Sequence, residues 1–358
     1  MENSNRTVLV LDAGGTNLVF NVVRNGKISG IPVILPAESD SLDAFIQKLI
    51  AGFKTINKQS GLVADAISFC FPGPADYENG IIGDLENMPV FRGGVPLKKI
   101  LENHFRIPVF INNDGDLFTL GEALGGVLNE INQKATKPYK NLLGVTLGTG
   151  FGGGLVVDNK LFRGDNSAAA EINRMSNLLN SDESVEEVLS IRGIKRLYAE
   201  KSGIDIVASP EPFELYQVAV GKKSGNRTEA IEAWDIFATV LADAIANAVT
   251  LTDCNVVIGG GLSGAYPVFL PKTIECLNGY FSDTGDKKTP RLEIKAFNWH
   301  DKLQQKQFLK TDYKKIPVPF SDEVVEWNSE KKIAVAVSSL GTSNAVAIGA
   351  YHFAVNCL

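Results

Sequence analysis

The feature that most constrains the fold is one arrangement that occurs twice in the chain of 358 residues. A β-rich run, a glycine turn and a second β-rich run occupy Thr7–Val23, and the same order returns in Asn141–Phe162. This interval is far longer than the repeat of a solenoid, but it suits two related lobes that each open on a β-hairpin. The sequence therefore predicts a duplicated α/β architecture.

The spacing of apolar residues predicts the elements around the two copies. Helical periodicity predicts helices at 42–53, Leu97–Phe105 and Thr228–Thr252, the first of them capped by a serine. Continuous apolar runs at Ala66–Pro74 and Pro108–Asp114 predict buried strands. Strands that alternate with helices in this way indicate an α/β protein.

The length of the chain also suggests two domains, at about 150 residues for each domain. We expect a small lobe of residues 1–124 that is joined by the last helix, in 341–358, and a large lobe of residues 125–340. Residues 283–332 are charged, interrupted by prolines and weakly periodic. They predict an insertion of short strands and loops in the large lobe.

The charge balance argues against one class of protein. A net charge of −6 is unsuited to wrapping nucleic acid on a basic surface. No uninterrupted apolar run approaches the roughly 18 residues of a membrane span, and the first residues lack the pattern of a signal peptide. We therefore expect a cytoplasmic protein without nucleic-acid or membrane partners. The 4 cysteines and 3 histidines are dispersed, which argues against a disulfide framework and a zinc site.

The glycine turns are candidate phosphate-binding sites. Gly148–Gly153 formally fits G-x-G-x-x-G, but β-rich chain follows it instead of the helix of a dinucleotide-binding unit, and no Walker motif is present. Glycine backbone N–H groups can approach a phosphate closely because no Cβ obstructs them, although a plain hairpin has the same sequence pattern. In the first turn, Asp12 precedes Gly14, Gly15 and Thr16. An acid beside such a turn can hold hydrated Mg²⁺, which favours a phosphate-binding function.

A polar cluster, Asn112-Asn113-Asp114-Gly115-Asp116, follows the second predicted strand. These side chains can simply cap a turn, as Asn and Asp often do. Alternatively, Asp114 is a carboxylate base that takes a hydroxyl proton during phosphoryl transfer, with Asn113 orienting the acceptor. The local sequence leaves both interpretations open.

Several ordered motifs together resemble the ROK family (repressors, open reading frames and kinases) of sugar kinases. The motifs are DAGGTN, FPGPADYENGII, ENMPVFRGGVPL, FINNDGDLFTLGEALGG, GTGFGGGLVVDNKLFRG, AAAEI, VVIGGGLS and AVAIGA. The resemblance covers most of 8–262 and the final helix. It implies an actin-like, hexokinase-type fold, which is a ribonuclease H-like fold of two α/β lobes over a site for ATP, Mg²⁺ and sugar.

The resemblance also assigns roles to individual residues. It implies that Asp114 is the general base and that ATP contacts lie at Asp12, Gly14, Gly15, Thr16, Gly148, Thr149, Gly150, Gly260 and Gly261. It implies sugar contacts at Gly73, Asn87, Asn113, Asp114, Glu171 and Glu186. Asp12 would hold Mg²⁺ through water.

The chain departs from the family pattern at the place where many members bind zinc. Arg174 stands where they have a histidine that serves both zinc and sugar, and their cysteine-rich loop is missing. We therefore expect ATP and Mg²⁺ as cofactors and no zinc. Arg174 becomes a candidate sugar contact, with a structural ion pair to Asp182 or Glu183 as the alternative. The chain has no room for the helix-turn-helix of the family's repressors, because the first strand begins near residue 7.

The function implied by the resemblance is an ATP-dependent hexose kinase, a phosphotransferase with an alcohol group as acceptor. Glucose-like aldohexoses are the favoured substrates, with an N-acetylhexosamine or fructose as alternatives. A catalytically weak sugar-sensing protein is the alternative from another class. The retained site residues Asp12, Asn113, Asp114 and Glu171 argue against a sensor, whereas Arg174 and the remodelled loop favour one. The sugar, a homodimer as the oligomeric state and the role of residues 264–337 stay open.

Overall fold

The computed structural model describes residues 5–13, 17–282 and 288–358. These residues form two compact units, each discontinuous in sequence. The first unit comprises Met1–Asn129, Gly153–Glu171 and Ser338–Leu358, and the second comprises Glu130–Gly152 and Ile172–Val337.

Strands and helices alternate along the chain, as the sequence predicts. The strands are β1 (Thr7–Ala13), β2 (Asn17–Arg24), β3 (Lys27–Pro36), β4 (Ala66–Cys70), β5 (Ala75–Asp76), β6 (Ile81–Ile82), β7 (Val109–Asn112), β8 (Leu142–Leu147), β9 (Phe151–Val157), β10 (Lys160–Leu161), β11 (Ser176–Asn177), β12 (Asn180–Ser184), β13 (Asn255–Gly259), β14 (Tyr280–Phe281), β15 (Thr289–Pro290), β16 (Lys295–Asn298), β17 (Lys314–Pro317), β18 (Val324–Trp327) and β19 (Lys332–Val337).

The helices lie between these strands and close the chain. The α-helices are α1 (Leu42–Ser60), α2 (Leu97–Phe105), α3 (Asp114–Leu124), α4 (Val127–Lys134), α5 (Ile191–Ser202), α6 (Pro212–Ala219), α7 (Arg227–Thr252), α8 (Tyr266–Leu277), α9 (Lys302–Leu309) and α10 (Thr342–Cys357). Short 3₁₀ turns lie at Ile172–Arg174, Val185–Glu187, Ile206–Ala208 and Gly261–Ala265.

The first unit is built on a five-stranded sheet with the order β3-β2-β1-β4-β7. β1 is antiparallel to β2 and parallel to β4, so the predicted opening hairpin is confirmed. Asn25 and Gly26 both have positive φ, 53° and 70°, which is the backbone of the tight turn that joins β2 to β3. Gly14, Gly15 and Thr16, which connect β1 to β2, lie outside the described residues.

Helix α1 packs an aromatic cluster against this sheet. The Ser41 side chain accepts a hydrogen bond from Ala44 N at 3.2 Å, so the predicted cap is confirmed. Phe53 meets Phe20 edge to face at a centroid distance of 5.0 Å, and Phe45 meets Phe91 in the same way at 5.3 Å. Such edge contacts add to the hydrophobic stabilisation of the buried rings.

Helices α3 and α10 approach each other very closely because each helix places a glycine against the backbone of the other. A Cβ atom on Gly121 would lie 1.9 Å from Ala345 O, and a Cβ atom on Gly349 would lie 1.9 Å from Leu117 O. α10 also packs against β1 and β4. This contact fixes α3, whose first residue is Asp114, to the sheet of its unit.

The second sheet has the order β10-β9-β8-β13-β19-β16. β8, β13, β19 and β16 are successively parallel, and β10 is antiparallel to β9. The boundary between the compact units falls within β9. This sheet therefore repeats the order of the first one, with antiparallel strands at one side and parallel strands at the other.

Helix α7 is a 26-residue helix of the second unit that packs against α5, α6 and α8. Trp234, Phe237, Leu241, Ile245 and Val249 are buried, as the periodicity predicts, whereas Ile231 at the start of the same apolar stripe is 40% exposed. Among the described residues, α7 is also the one helix whose length and composition would suffice to cross a membrane. More than half of its apolar window is buried against the rest of the protein, which is typical of a core helix.

The segment 283–332, predicted as an insertion of short strands and loops, also contributes a strand to the second sheet. Residues 283–287 lie outside the described part, but β16 forms the edge of the second sheet and α9 packs beside it. The antiparallel hairpin of β17 and β18 fits the predicted short strands, as does the two-residue strand β15, which pairs with β14. The predicted lobes, 1–124 with 341–358 and 125–340, stay a proposal, and the compact first unit additionally contains Gly153–Glu171.

Candidate active site

The predicted site residues fall into two groups, one in each compact unit. The first unit contains Asp12, Gly73, Asn87, Asn113, Asp114 and Glu171, and the second contains Gly148, Thr149, Gly150, Arg174, Glu186, Gly260 and Gly261. Gly14, Gly15 and Thr16, predicted as ATP contacts, lie outside the described residues.

Asp114 and Asn113 lie where β7 gives way to α3. Asn113 is the N-cap of α3, and its Oδ1 accepts a hydrogen bond from Gly115 N at 2.8 Å. Asp114 Oδ1 accepts from the same N–H group at 2.8 Å. Asn113 therefore has the capping role that the sequence left open, while the Asp114 side chain remains accessible to solvent.

The environment of Asp114 changes its acid–base properties. Desolvation by the surrounding protein raises the pKa of Asp114 above its ordinary value, and the negative charge of Asp12 acts in the same direction. The hydrogen bond from Gly115 N opposes both effects. Asp12 lies at the end of β1, on the strand next to β4. A carboxylate with a raised pKa is a stronger base, which is the property required of a group that removes a hydroxyl proton.

A buried thiol lies beside Asp12. Cys70 Sγ is 3.8 Å from Asp12 Oδ1 and 3.9 Å from Leu11 O. Burial, followed by the charges of Asp12 and Asp114, raises the pKa of this thiol well above its ordinary value. Cys70 is therefore a protonated, weak hydrogen-bond donor to Asp12.

Tyr77 links two of the predicted sugar contacts. Its hydroxyl group donates to Phe71 O at 3.0 Å and accepts from Asn113 Nδ2 at 3.5 Å. A Cβ atom on Gly73 would lie 3.2 Å from the same hydroxyl oxygen. Sequence reasoning overlooked Tyr77, although it lies in the motif FPGPADYENGII that carries the family resemblance.

Asp116 and Arg163 are two further charged residues of the first unit that sequence reasoning overlooked. Asp116 is buried, and Arg163 Nη1 donates to Asn112 Oδ1 at 3.3 Å. Burial raises the pKa of Asp116 to about 7, with Glu171 and Asp114 acting in the same direction and Arg163 opposing them. The predicted sugar contact Glu171 therefore lies within electrostatic range of the first turn of α3.

Asn87 is exposed and contributes to a different part of the first unit. It lines a cavity of about 500 Å³ together with Asn17, Phe45 and Met88. The cavity contains both amide and apolar side chains, a mixture that is common in sites for small polar molecules. The sugar contact predicted at Asn87 stays a prediction.

The second unit forms a closed glycine turn between β8 and β9. Gly148 N donates to Gly150 O at 2.9 Å, and Glu186 Oε2 accepts from Phe151 N at 2.9 Å. A Cβ atom on Gly150 would lie 2.6 Å from Glu186 Oε2. Glu186, predicted as a sugar contact, thus lies against the turn that includes Gly148, Thr149 and Gly150.

Gly260 lies against Leu147, the residue that precedes the glycine turn between β8 and β9. Its φ of 83° lies in the left-handed region, and a Cβ atom on it would lie 2.3 Å from Leu147 O. Gly261 then begins a 3₁₀ turn. The second predicted phosphate motif and the predicted nucleoside contacts are therefore neighbours within one unit.

Arg174 is exposed at the end of a 3₁₀ turn. Glu183, one of its two predicted ion-pair partners, pairs instead with Arg196, at 3.2 Å. Within the described ranges, no ion pair joins Arg174 to Asp182 or to Glu183. The structural alternative for Arg174 therefore lacks its predicted contact.

Metal binding must be judged from the available donor groups. Among the described residues, no group of three or more His, Cys, Asp and Glu side chains is arranged to hold a metal ion. Asp12 offers a partly exposed carboxylate, and Mg²⁺ is usually held by one or two carboxylates together with waters and substrate phosphates. The donor present at Asp12 therefore fits hydrated Mg²⁺.

Comparison with known proteins identifies the family. The sequence profile of the ROK family matches residues 8–298. The chain belongs to the ROK family. Its two-sheet α/β architecture is the hexokinase-type, actin-like fold of that family, as the resemblance implies.

The ROK relatives of this chain include kinases for two sugars. The crystal structure of a glucokinase from Parabacteroides distasonis is 46% identical, covers 100% of both chains and has a TM-score of 0.89. An N-acetyl-D-glucosamine kinase from Aliivibrio salmonicida is 29% identical over 289 residues, which are 74% of this chain and 87% of that protein. A ROK family glucokinase from Streptomyces griseus, in complex with glucose and AMPPNP, is 19% identical with a TM-score of 0.62 and shares the fold.

Proposed function

We propose that this protein is an ATP-dependent sugar kinase that transfers the γ-phosphoryl group of ATP to a hexose hydroxyl. The observation that carries the proposal is the accessible Asp114 carboxylate at the start of α3, whose pKa is raised by the surrounding protein and by Asp12. The glycine turn beside Gly260 supports nucleotide binding, because its backbone can approach phosphates closely.

Asp114 acts in this proposal as the general base. Its carboxylate accepts the proton of the sugar hydroxyl as that oxygen attacks the γ-phosphorus. Asn113, fixed by its hydrogen bond to Gly115 N, and Glu171 orient the sugar. Asp12 would hold Mg²⁺, and the bound ion would neutralise the charge on the phosphates.

The preferred substrate is a glucose-like aldohexose. The support is the 46% identity to a glucokinase over the whole chain, compared with 29% to an N-acetyl-D-glucosamine kinase. An N-acetylhexosamine and fructose are the competing substrates. A sugar sensor would need none of the electrostatic coupling between Asp12 and Asp114, which favours the enzyme. The cytoplasmic location and the homodimer stay part of the proposal.

A coupled ADP-release assay tests the proposal directly. Purified protein is incubated with ATP, Mg²⁺ and, in separate reactions, glucose, N-acetylglucosamine, N-acetylmannosamine and fructose. We expect sugar-dependent ADP release that is greatest with glucose. Release without sugar would indicate an ATPase, and sugar binding without any release would favour the sensor.

Turnover is expected to require Mg²⁺ and no zinc. The expectation rests on the carboxylate at Asp12 and on Arg174, which replaces a zinc-binding histidine of the family. Chelation by EDTA should abolish turnover, and added Mg²⁺ should restore it. Elemental analysis showing about one zinc per chain would contradict the expectation.

Replacing Arg174 with Ala is expected to change the ranking of sugars by KM while leaving the melting temperature unaltered. Arg174 is exposed and offers fixed donors that can bind ring hydroxyls. Arg196→Ala is the matched control, because Arg196 pairs with Glu183 at 3.2 Å and should affect stability alone. A lower melting temperature with an unchanged sugar ranking for Arg174→Ala would eliminate the role in recognition.

A further inference from the structure

Tyr77 is a buried residue that the proposed mechanism does not use. It follows β5 directly and is 7% exposed. Burial raises the pKa of its hydroxyl group above the ordinary value, so the group is a neutral O–H near neutral pH. Such a hydroxyl group has one proton to donate and an oxygen atom that can accept. The partners of these two functions therefore decide what Tyr77 does.

The turn that carries Tyr77 is fixed without its hydroxyl group. Asp76 Oδ1 accepts from Asn79 N at 3.0 Å, and Asp76 Oδ2 accepts from Asn79 Nδ2 at 2.8 Å. Gly83 N donates to Pro74 O at 2.8 Å, which holds together the two ends of the β5–β6 hairpin. Removal of the hydroxyl group should therefore leave the hairpin intact.

A closed circuit of hydrogen bonds joins Tyr77 to the start of α3. The Tyr77 hydroxyl group donates to Phe71 O at 3.0 Å and accepts from Asn113 Nδ2 at 3.5 Å. Phe71 N in turn donates to Asn112 O at 2.9 Å. Asn112 and Asn113 are joined by their peptide bond, which completes the circuit. The circuit ties the residue that follows β4 to the junction of β7 and α3.

This circuit gives the Asn113 amide a single orientation. Its Oδ1 accepts from Gly115 N at 2.8 Å while its Nδ2 faces Tyr77. The proton of the Tyr77 hydroxyl group is engaged with Phe71 O, so toward Asn113 that oxygen can only accept. A flipped amide would turn Nδ2 toward the Gly115 N–H group and Oδ1 toward the hydroxyl oxygen. Both hydrogen bonds would then be lost.

The orientation defines what Asn113 offers to a ligand. Nδ2 carries two hydrogens, of which one is directed at Tyr77. Asn113 is half-buried, and its neighbour Asp114 is exposed. An amide N–H group beside a carboxylate base suits a hydroxyl group: the oxygen accepts a hydrogen bond from Asn113 while its proton passes to Asp114.

Gly73 leaves the space in which the Tyr77 hydroxyl group lies. A Cβ atom on Gly73 would lie 3.2 Å from the hydroxyl oxygen, which is a tight contact. A larger side chain at this position would press on the group that holds Asn113. The glycine is therefore consistent with a hydroxyl group whose position matters.

We propose that Tyr77 is a positioning residue of the sugar site, whose hydroxyl group holds the Asn113 amide with an N–H group directed to a sugar hydroxyl beside Asp114. The inference rests on the proposed function, since Asn113 and Asp114 are its sugar-binding groups. Tyr77 does not need to touch the sugar. Its effect on sugar binding passes through Asn113.

Tyr77→Phe removes a single oxygen atom and tests the role directly. We expect the Kd and the KM for glucose to rise about fivefold, since the net contribution of one hydrogen bond corresponds to roughly this change. The KM for ATP should stay within about twofold of the wild-type value, because the circuit lies within the first unit. Isothermal titration calorimetry gives the Kd, and the ADP-release assay gives both KM values.

A double-mutant cycle tests whether the effect passes through Asn113. Asn113→Ser keeps a side-chain oxygen that can cap α3 but has no amide group. By itself it should weaken glucose binding at least as much as Tyr77→Phe. In the Asn113→Ser background, Tyr77→Phe should then cause no further change in the Kd. Equal effects of Tyr77→Phe in both backgrounds would mean that Tyr77 acts independently of Asn113 and would overturn the inference.

Thr273→Val is the matched control. The hydroxyl group of Thr273 is also buried and donates to backbone carbonyl oxygens, to Phe269 O at 3.0 Å and to Ala238 O at 3.3 Å. Its loss should lower the melting temperature and leave the Kd for glucose unchanged. If this variant weakened glucose binding as much as Tyr77→Phe does, the effect would come from general destabilisation and the positioning role would be wrong.

The outcomes separate this inference from the proposed function. If the wild type phosphorylates glucose but Tyr77→Phe retains the wild-type Kd and KM for glucose, the positioning role is wrong and the kinase stands. If the wild type binds glucose without transferring phosphate, the kinase is wrong, and the Kd values of the cycle still decide the positioning role. A wild type that binds no glucose overturns both.

Discussion

An Asp114→Asn variant is expected to turn over at least about 10²-fold more slowly than the wild type while it still binds glucose. A positioned base contributes about 10²–10⁴-fold to such a reaction, and the amide cannot accept the hydroxyl proton. The fold should be preserved, because Asn can also accept the hydrogen bond that Gly115 N donates to Asp114. The measurement is kcat from the ADP-release assay together with the Kd for glucose.

Asp43→Asn is the matched control for this variant. Asp43 is an exposed acid in the first turn of α1, so its replacement changes the same kind of helix position without entering the site. It should leave kcat unaltered. Near-normal turnover of Asp114→Asn would show that Asp114 is not the base.

Gly349→Ala is expected to destabilise the protein by about 3 kcal/mol, a large effect for one methyl group. The new Cβ atom would lie 1.9 Å from Leu117 O and 3.0 Å from Gly121 N. Both are backbone atoms of α3. The steric clash can therefore be relieved only if α3 and α10 move apart. Urea unfolding measures the change, and turnover should fall as well, because α3 carries Asp114.

Gly264→Ala tests whether this loss is specific to the helix contact. A Cβ atom on Gly264 would have no heavy atom within 4 Å, so the same substitution should change stability little. Equal urea midpoints for Gly349→Ala and the wild type would contradict the packing described for α3 and α10.

The local parts of the fold could be predicted because their determinants are close in sequence. The limits of α2 agree with the prediction at Leu97–Phe105, and Ser41 caps α1 through a residue three positions away. β16 could not be predicted as a core strand, since its partner β19 is separated from it in the chain and its own charged segment shows no periodicity. Ile231 fits the apolar stripe of α7, but burial also depends on neighbours that periodicity does not show.

The candidate site shows the same limit. Asp114 and Asn113 could be singled out because they follow a predicted strand, and the structure places both at the start of α3. Asp116 was visible in the sequence but had no assigned role, because its burial and the raised pKa that follows from it arise only in the folded unit. Tyr77 acquires its contact with Asn113 in the same way.

The most direct test of the central claim is ³¹P nuclear magnetic resonance of a mixture of the purified protein, ATP, Mg²⁺ and glucose. The account predicts a phosphate-ester resonance of the sugar that grows in step with ADP and that stays below detection with Asp114→Asn over the same time. Formation of inorganic phosphate in place of a sugar phosphate, or no phosphoryl transfer to any sugar of the screen, would contradict the account.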